Sequence, residues 1–371
     1  RWGRVMESTG EDPHLNAVMA AAAVKGFQGE LPIDATHIAA TVKHFAGYGA
    51  PEGGREYNTV DISEWRFRDQ YLGAYQAAIA AQAKLVMTSF NTLFGVPATG
   101  NHYLMQTILR GELKFDGVLI SDWNAIAELL AHGTAQDIES AAKKALAAGV
   151  DIDMMAFAYA GLLAKVDQLS DDILALIDSA VQRVLNLKDE LGLFDDPYIG
   201  ISKEKEDEPS ITFDHEQQAL KAAEASVVLV KNAKRTLPIQ ATQRVFLTGP
   251  TANTGDLLGS WSWQGDVSQT ETLCHQLNRH VDELSYLPGV AYHEDISTDW
   301  AAIKQHVASA DVVVVALGLP SSESGEATSL SNPALPSQQV AFLKKIQALG
   351  KPIVTVVVTG RPLILSTVAQ L

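Results

Sequence analysis

A chain of 371 residues that is 47% hydrophobic and 19% charged has the composition of a core-forming globular protein, and its length allows two domains. Its formal net charge of −16, with no long basic run, argues against nucleic-acid binding, which needs clustered Lys and Arg. A single cysteine, Cys274, excludes an internal disulfide and a Cys-based metal site; no His pair has HExxH spacing, and no apolar run is long enough to span a membrane.

From the N-terminus, strand-like and helix-like segments alternate. HIAATVKHF, ending at Phe45, is apolar and β-branched. SEWRFRDQYLGAYQAAIAAQA (63–83) has helical spacing. KLVMTSFN (84–91) and GVLISDW (117–123) are short apolar runs. DIESAAKKALAAG (137–149) is an Ala-rich helix stopped by Gly149, VDIDMM (150–155) is a further short run, and 169–194 has strong helical periodicity. Strands alternating with helices predict parallel βα units. The stretch 195–214 is charged, Pro-containing and non-periodic, as expected of a linker. Beyond it RVFLTGP (244–250), DVVVVALG (311–318) and PIVTVVVTG (352–360) read as buried parallel strands each ending at a glycine, with a helix over 336–350.

Only about four barrel-like strands precede the linker, whereas a βα barrel needs eight. The expected fold is therefore α/β: the C-terminal portion of a (β/α) barrel over 1–195, a linker over 196–215 and the N-terminal portion of an α/β sandwich over 216–371. The chain reads as a piece of a longer polypeptide. Arg1 stands where an initiator Met would, so a leader sequence would not be visible.

In a parallel barrel, chemistry sits at the C-terminal ends of the strands. Those ends carry Lys43 and His44; Ser89, Phe90 and Asn91; Asp122 and Trp123; Asp151 and Asp153. The chain start adds Arg4, Glu7, Glu11 and Asp12. Asp122 fits either a helix cap or a reactive carboxylate, and His44 either a satisfied core histidine or a ligand group. For Asp151 and Asp153 a cap or a support of the barrel floor is the expected role. Cationic donors together with a tryptophan suit sugar hydroxyls and an apolar pyranose face. The Ser- and Gly-rich loop 319–336 carries Glu323 and Glu326. It is either a solvated surface loop or a mobile loop bearing a general acid. Glycoside hydrolysis needs two carboxyl groups flanking one bond, and Asp122 with one of these glutamates would supply them. Trp261 and Trp263, between Gly259 and Gly265, are either core residues or a stacking platform.

At these residues the sequence resembles glycoside hydrolase family 3, on the bacterial β-glucosidase side. The anchors, in order, are RWGRVMESTGEDPHL, VKHFAGYGAPEGGREYN, LISDW, AAGVDIDMM, LGLFDDPY, LGSWSWQGD, SGEATSL and TGRPLIL. The resemblance implies a βα barrel followed by an α/β sandwich. It implies Asp122 as nucleophile and Glu326 as general acid/base. Arg4, Lys43, His44 and Arg55 fall on groups that contact the non-reducing sugar, Trp123 lines its subsite, and Trp263 falls on a wall of the leaving-group subsite. Many relatives have Tyr where Phe90 stands, so a hydrogen bond near the nucleophile is expected to be absent. The implied activity is retaining, exo-acting hydrolysis of terminal β-D-glucosyl residues from oligosaccharides or β-glucosides, with a periplasmic or secreted location favoured. The alternatives are a β-xylosidase or arabinosidase of the same family and a non-catalytic sugar-binding relative. The chemistry requires no metal and no organic cofactor. No nucleic acid or membrane span is expected, and the oligomeric state stays open, a homo-oligomer included. A nucleotide-binding protein is disfavoured because both GxGxxG and GxxxxGK[ST] are missing.

Overall fold

The computed structural model describes residues 1–207, 212–294 and 297–371. The chain divides into two compact units. One comprises Trp2 and Glu7–Ser210; the other comprises Arg1, Gly3–Met6 and Ile211–Leu371. Part of the expected linker, 208–211, lies outside the described residues.

The first unit is built on three parallel strands, β1 (Thr41–Phe45), β2 (Leu85–Thr88) and β3 (Val118–Ile120), hydrogen-bonded in that order. Ile152 adds a single parallel bridge to Ile120. VDIDMM is thus one bridge and not a full strand. The backbone of Asp151 and Ile152 reaches the Leu119 carbonyl, but the Asp151 side chain is committed elsewhere. Helices return the chain between strands. The first, α1 (Pro13–Gln28), starts at Asp12, whose carboxylate accepts the amides of His14 and Leu15, with Pro13 in the first turn. It ends at Gly29 (φ 63°). Buried Gln28, in its last turn, fixes the helix to the strands: its amide donates to the Gln82 carbonyl at 3.0 Å, and its oxygen accepts the amides of Ala40 and Lys84. The segment 63–83 is helical, but a wide π-type turn over Phe67–Tyr71 interrupts it before α2 (Leu72–Ala80). Helix α3 (Ile138–Ala148) opens with a capping box between Asp137 and Ser140 and stops at left-handed Gly149 (φ 96°). Phe45, Phe67, Leu104, Ile108, Leu119 and Ile126, all fully buried, form the centre of this core.

The second unit holds a four-stranded, all-parallel sheet: β4 (Arg244–Thr248), β5 (Glu283–Leu287), β6 (Val312–Gly318) and β7 (Ile353–Val358), in the order β7-β6-β4-β5. β6 is buried along its whole length, which explains its unbroken apolar sequence. Alternate residues of β6 face opposite layers. Val313, Val315 and Leu317 pack with Ile303, Val307, Phe342 and Ile346, from helices α5 (Trp300–Ser309) and α6 (Ser337–Gln347). Val314 and Ala316 pack with Leu273 and Leu277 of α4 (Leu273–His280). β5 was not expected from the sequence. It is a partly exposed edge strand, ELSYL, without the apolar run that marks its neighbours. Strand order reverses between β4 and β6, so the loops leaving their carboxyl ends lie beside the topological switch point, where open parallel sheets place ligands.

Candidate active site

In the first unit the strand ends converge as the barrel rule demands. Asp122 follows β3 directly and is 8% exposed. It does not cap the following helix, Ala125–Ala131: that helix begins at left-handed Asn124, which has no side-chain cap. The Asp122 carboxylate is instead oriented from two sides. Its Oδ1 accepts the Trp123 amide at 2.7 Å, and its Oδ2 lies 3.3 Å from His44 Nε2. Ser121, fully buried, braces the turn: its hydroxyl donates to the Asp122 carbonyl and accepts the Met154 amide at 2.8 Å.

His44 is therefore not merely a satisfied core histidine. It is buried, packs edge-on against Tyr48 and faces the carboxylate. Tyr75 donates to its carbonyl, and the peptide bonds Lys43–His44 and Phe45–Ala46 are cis. Lys43 and Arg55 are exposed, as is Trp123 at 59%. Phe90 is buried against Tyr48 and Tyr57. Asn91, also buried, ties the end of β2 to the Ala46 carbonyl at 3.2 Å.

Sequence reasoning missed Trp2, Tyr48, Tyr57 and Glu56. Trp2 stacks edge-on with Tyr48, and its indole N–H donates to buried Glu56 at 2.9 Å. Tyr48, Glu56 and Tyr57 all lie within the AGYGAPEGGREYN stretch, where only Arg55 was singled out. Their clustering is long-range and leaves no local periodicity to read.

Asp151 and Asp153 are supports, as expected. Asp153 accepts the amides of Ala156, Ala158 and Tyr159 and so caps the helix that follows. Asp151 binds Arg110 at 3.0 Å, Arg183 at 2.8 Å and the Leu119 amide at 2.8 Å. Burial pushes its carboxyl up, against the pull of that amide and both guanidinium groups.

The second unit contributes its own group. Glu326 lies on the loop after β6, between left-handed Gly325 (φ 97°) and Ala327 (φ 59°), and its side chain is 32% exposed. Buried Arg4 places Nη1 3.9 Å from Glu326 Oε1 and lays its guanidinium over Trp261, 5.3 Å from the ring centroid. Trp261 and Trp263 are on turns and not in a strand, at 48% and 88% exposure, so neither is a core residue. Trp261, beside Arg4, is the partner that the sequence left unassigned. Glu323 is engaged by His293. Among the described residues no group of three or more His, Cys, Asp and Glu is placed to hold a metal ion, and no helix is long and apolar enough to cross a membrane.

The first unit is a parallel α/β scaffold with an oriented carboxylate at a strand end, and the second is a parallel α/β sheet with a carboxyl on a loop beside its switch point; carboxyl groups of this kind are working groups of hydrolytic enzymes. Residues 1–187 match the Glycosyl hydrolase family 3 N terminal domain and residues 227–370 match the Glycosyl hydrolase family 3 C-terminal domain; the chain belongs to glycosyl hydrolase family 3. It is 37% identical over 98% of its length to a periplasmic β-glucosidase of Salmonella typhimurium, covering 51% of that protein. It is 32% identical to a β-xylosidase of Formosa agariphila, over all of this chain and 54% of the relative. Among solved structures it is similar to a β-glucosidase of Listeria innocua in complex with isofagomine, with a TM-score of 0.92 and 43% identity over 100% of this chain and 52% of that one. The chain thus spans about half the length of these relatives.

Proposed function

We propose that the protein is a retaining, exo-acting β-glycosidase, and specifically a β-glucosidase that releases terminal β-D-glucosyl residues from oligosaccharides or β-glucosides. The observation that carries this reading is the Asp122 carboxylate, nearly buried at the end of β3 and held by the Trp123 amide and His44. A nucleophile so fixed needs little reorganisation to meet an anomeric carbon. Asp122 attacks that carbon while Glu326 protonates the departing oxygen. The resulting glycosyl ester is hydrolysed by water that Glu326, now a base, deprotonates. Arg4, Lys43, His44 and Arg55 bind hydroxyls of the non-reducing sugar, Trp123 lines its subsite, and Trp263 walls the leaving-group side. The barrel portion takes 1–195, a linker 196–215 and the sandwich portion 216–371. The name of the Salmonella relative supports a periplasmic or secreted setting.

The β-glucosidase names of the Salmonella and Listeria relatives favour glucosides. β-Xylosides are the second reading, because a protein named β-xylosidase is 32% identical over the whole chain. The test is to incubate the full-length protein with a 2-deoxy-2-fluoro β-glucoside bearing a good leaving group and to map the adduct by mass spectrometry. A fluoroglucosyl ester on Asp122 is the expected result. Turnover of the parent glucoside without any adduct would remove Asp122 or the covalent intermediate from the scheme. Turnover of xylosides alone would move the assignment to the second reading.

A further inference from the structure

We infer that Arg361 is a positioning residue for the general acid/base, a role that rests on the assignment of Glu326 to that function. Arg361 follows β7 in the segment TGRP and is 4% exposed. Its guanidinium binds main-chain oxygens on both sides of Glu326. Nη2 donates to the carbonyls of Glu323 and Thr328, the latter at 2.6 Å, and also reaches the Thr328 hydroxyl at 3.3 Å. Nη1 donates to the Arg1 carbonyl at 3.1 Å, and that same carbonyl accepts the Leu330 amide. One buried cation therefore gathers three peptide oxygens around the five-residue step that carries the carboxyl group. Charge-assisted hydrogen bonds are the strong ones, and a fork fixes direction as well as distance.

The neighbouring residues are fitted to the same clamp. The Thr359 hydroxyl accepts the Arg361 amide at 3.2 Å and donates to the Arg361 carbonyl at 2.9 Å, so the backbone that launches the guanidinium is itself held. A Cβ on Gly360 would collide with the side chain of buried Ser324, two residues before Glu326. Within the loop, the Gly325 amide donates to Gly3 at 2.8 Å and the Thr328 hydroxyl to Gly325 at 2.7 Å. Arg361 thus reaches both flanks of Glu326 from another element, outside the loop that carries it. Without it, the turn through left-handed Gly325 and Ala327 keeps its chemistry but loses its fixed path.

The test uses the full-length protein and aryl β-glucosides of graded leaving-group acidity. In Arg361→Met, kcat/KM for a poor leaving group such as 4-methoxyphenol falls about 10- to 100-fold, the scale of a roughly 1 Å misplacement. The 2,4-dinitrophenyl glucoside, which needs no proton, keeps its rate of glycosylation. Azide speeds turnover of that activated substrate in the variant and yields glucosyl azide. A side chain that only stabilises the fold would give neither the leaving-group dependence nor azide rescue. Arg361→Lys and Thr359→Val are made in parallel, with thermal melts, as gentler disturbances, and Glu326→Ala is the reference. An equal loss on every substrate, or no loss, overturns the role of Arg361. So does failure of all three clamp variants to fold, which would leave Arg361 a stability residue alone. If Glu326→Ala lacks the leaving-group dependence, the acid/base assignment fails first. If it shows the dependence and Arg361→Met does not, only the positioning role falls.

Discussion

His44 Nε2 and Asp122 Oδ2 stand 3.3 Å apart, although the two residues end different strands, β1 and β3, with β2 between them. The imidazole also packs edge-on against Tyr48, 5.1 Å between ring centroids. Leaving a buried acceptor without its polar neighbour costs about 1–3 kcal/mol, or roughly 5- to 150-fold in kcat/KM. We expect His44→Gln to lose activity in that range on good and poor leaving groups alike, since on the proposed assignment it disturbs the nucleophile and not the acid. Steady-state kinetics on the graded aryl glucosides checks this; a loss confined to poor leaving groups would contradict it.

Asp151 is buried between Arg110 and Arg183, which come from different helical segments. Removing its charge takes the counter-charge from both guanidinium groups and the side-chain acceptor from the Leu119 amide, although Arg110 keeps the carbonyls of Gly117 and Gly149. Breaking such a buried arrangement costs about 3–5 kcal/mol. Asp151→Ala should lower the urea midpoint accordingly while sparing leaving-group selectivity in whatever fraction remains folded.

Trp263 is 88% exposed and buries almost nothing within the fold. Trp263→Ala should leave the melting temperature unchanged, as surface substitutions fall within about 0.5 kcal/mol. Loss of a stacking wall would raise KM for disaccharides about 2- to 10-fold, the range of aromatic contacts. A titration with a β-linked glucose disaccharide measures it.

Glu139, in the first turn of α3, accepts hydrogen bonds from Lys143 and Lys165, and these pull its carboxyl down to about 2 from 4.5. A depressed folded-state value means that the stabilisation is present above the unfolded pKa and is lost as pH falls from about 4.5 towards 2. Glu139→Gln should therefore be slightly less stable than the parent at neutral pH, and the gap should close across that acidic window. High salt should also close it, because the pairs are exposed. Urea titrations at three pH values test both.

Signals confined to one segment were readable. Val118–Ile120 followed by a helix placed Asp122 at a strand end, Gly149 marked a helix stop, and the apolar run of β6 announced a strand buried on both faces. Signals that depend on tertiary packing were not. β5 is an edge strand whose half-exposed ELSYL has no distinctive pattern. The wide turn at Phe67–Tyr71 sits inside a sequence that is helical by every local measure. Trp2, Tyr48 and Glu56 meet only when the chain start folds over the loop after β1, and nothing in their spacing foretells it. Asn124 took the capping position that Asp122 had been a candidate for, which a left-handed φ allows an asparagine to do.

Arg361 grips peptide oxygens, which every residue type offers. It therefore dictates where the backbone runs between Glu323 and Thr328 and is indifferent to most of the side chains mounted on it. Ala327 projects from that turn, exposed, and Ser329 lies just past it, also exposed. Such an arrangement separates two tasks that a loop usually confounds. Under the proposed assignment of Glu326, the acid is aimed by a scaffold that substitution at exposed Ser329 leaves intact, whereas the left-handed φ of Ala327 admits few other residues. The surroundings of the leaving group can therefore be rewritten at 329 without re-evolving proton transfer. A library confined to position 329 is a direct route to new aglycone preferences.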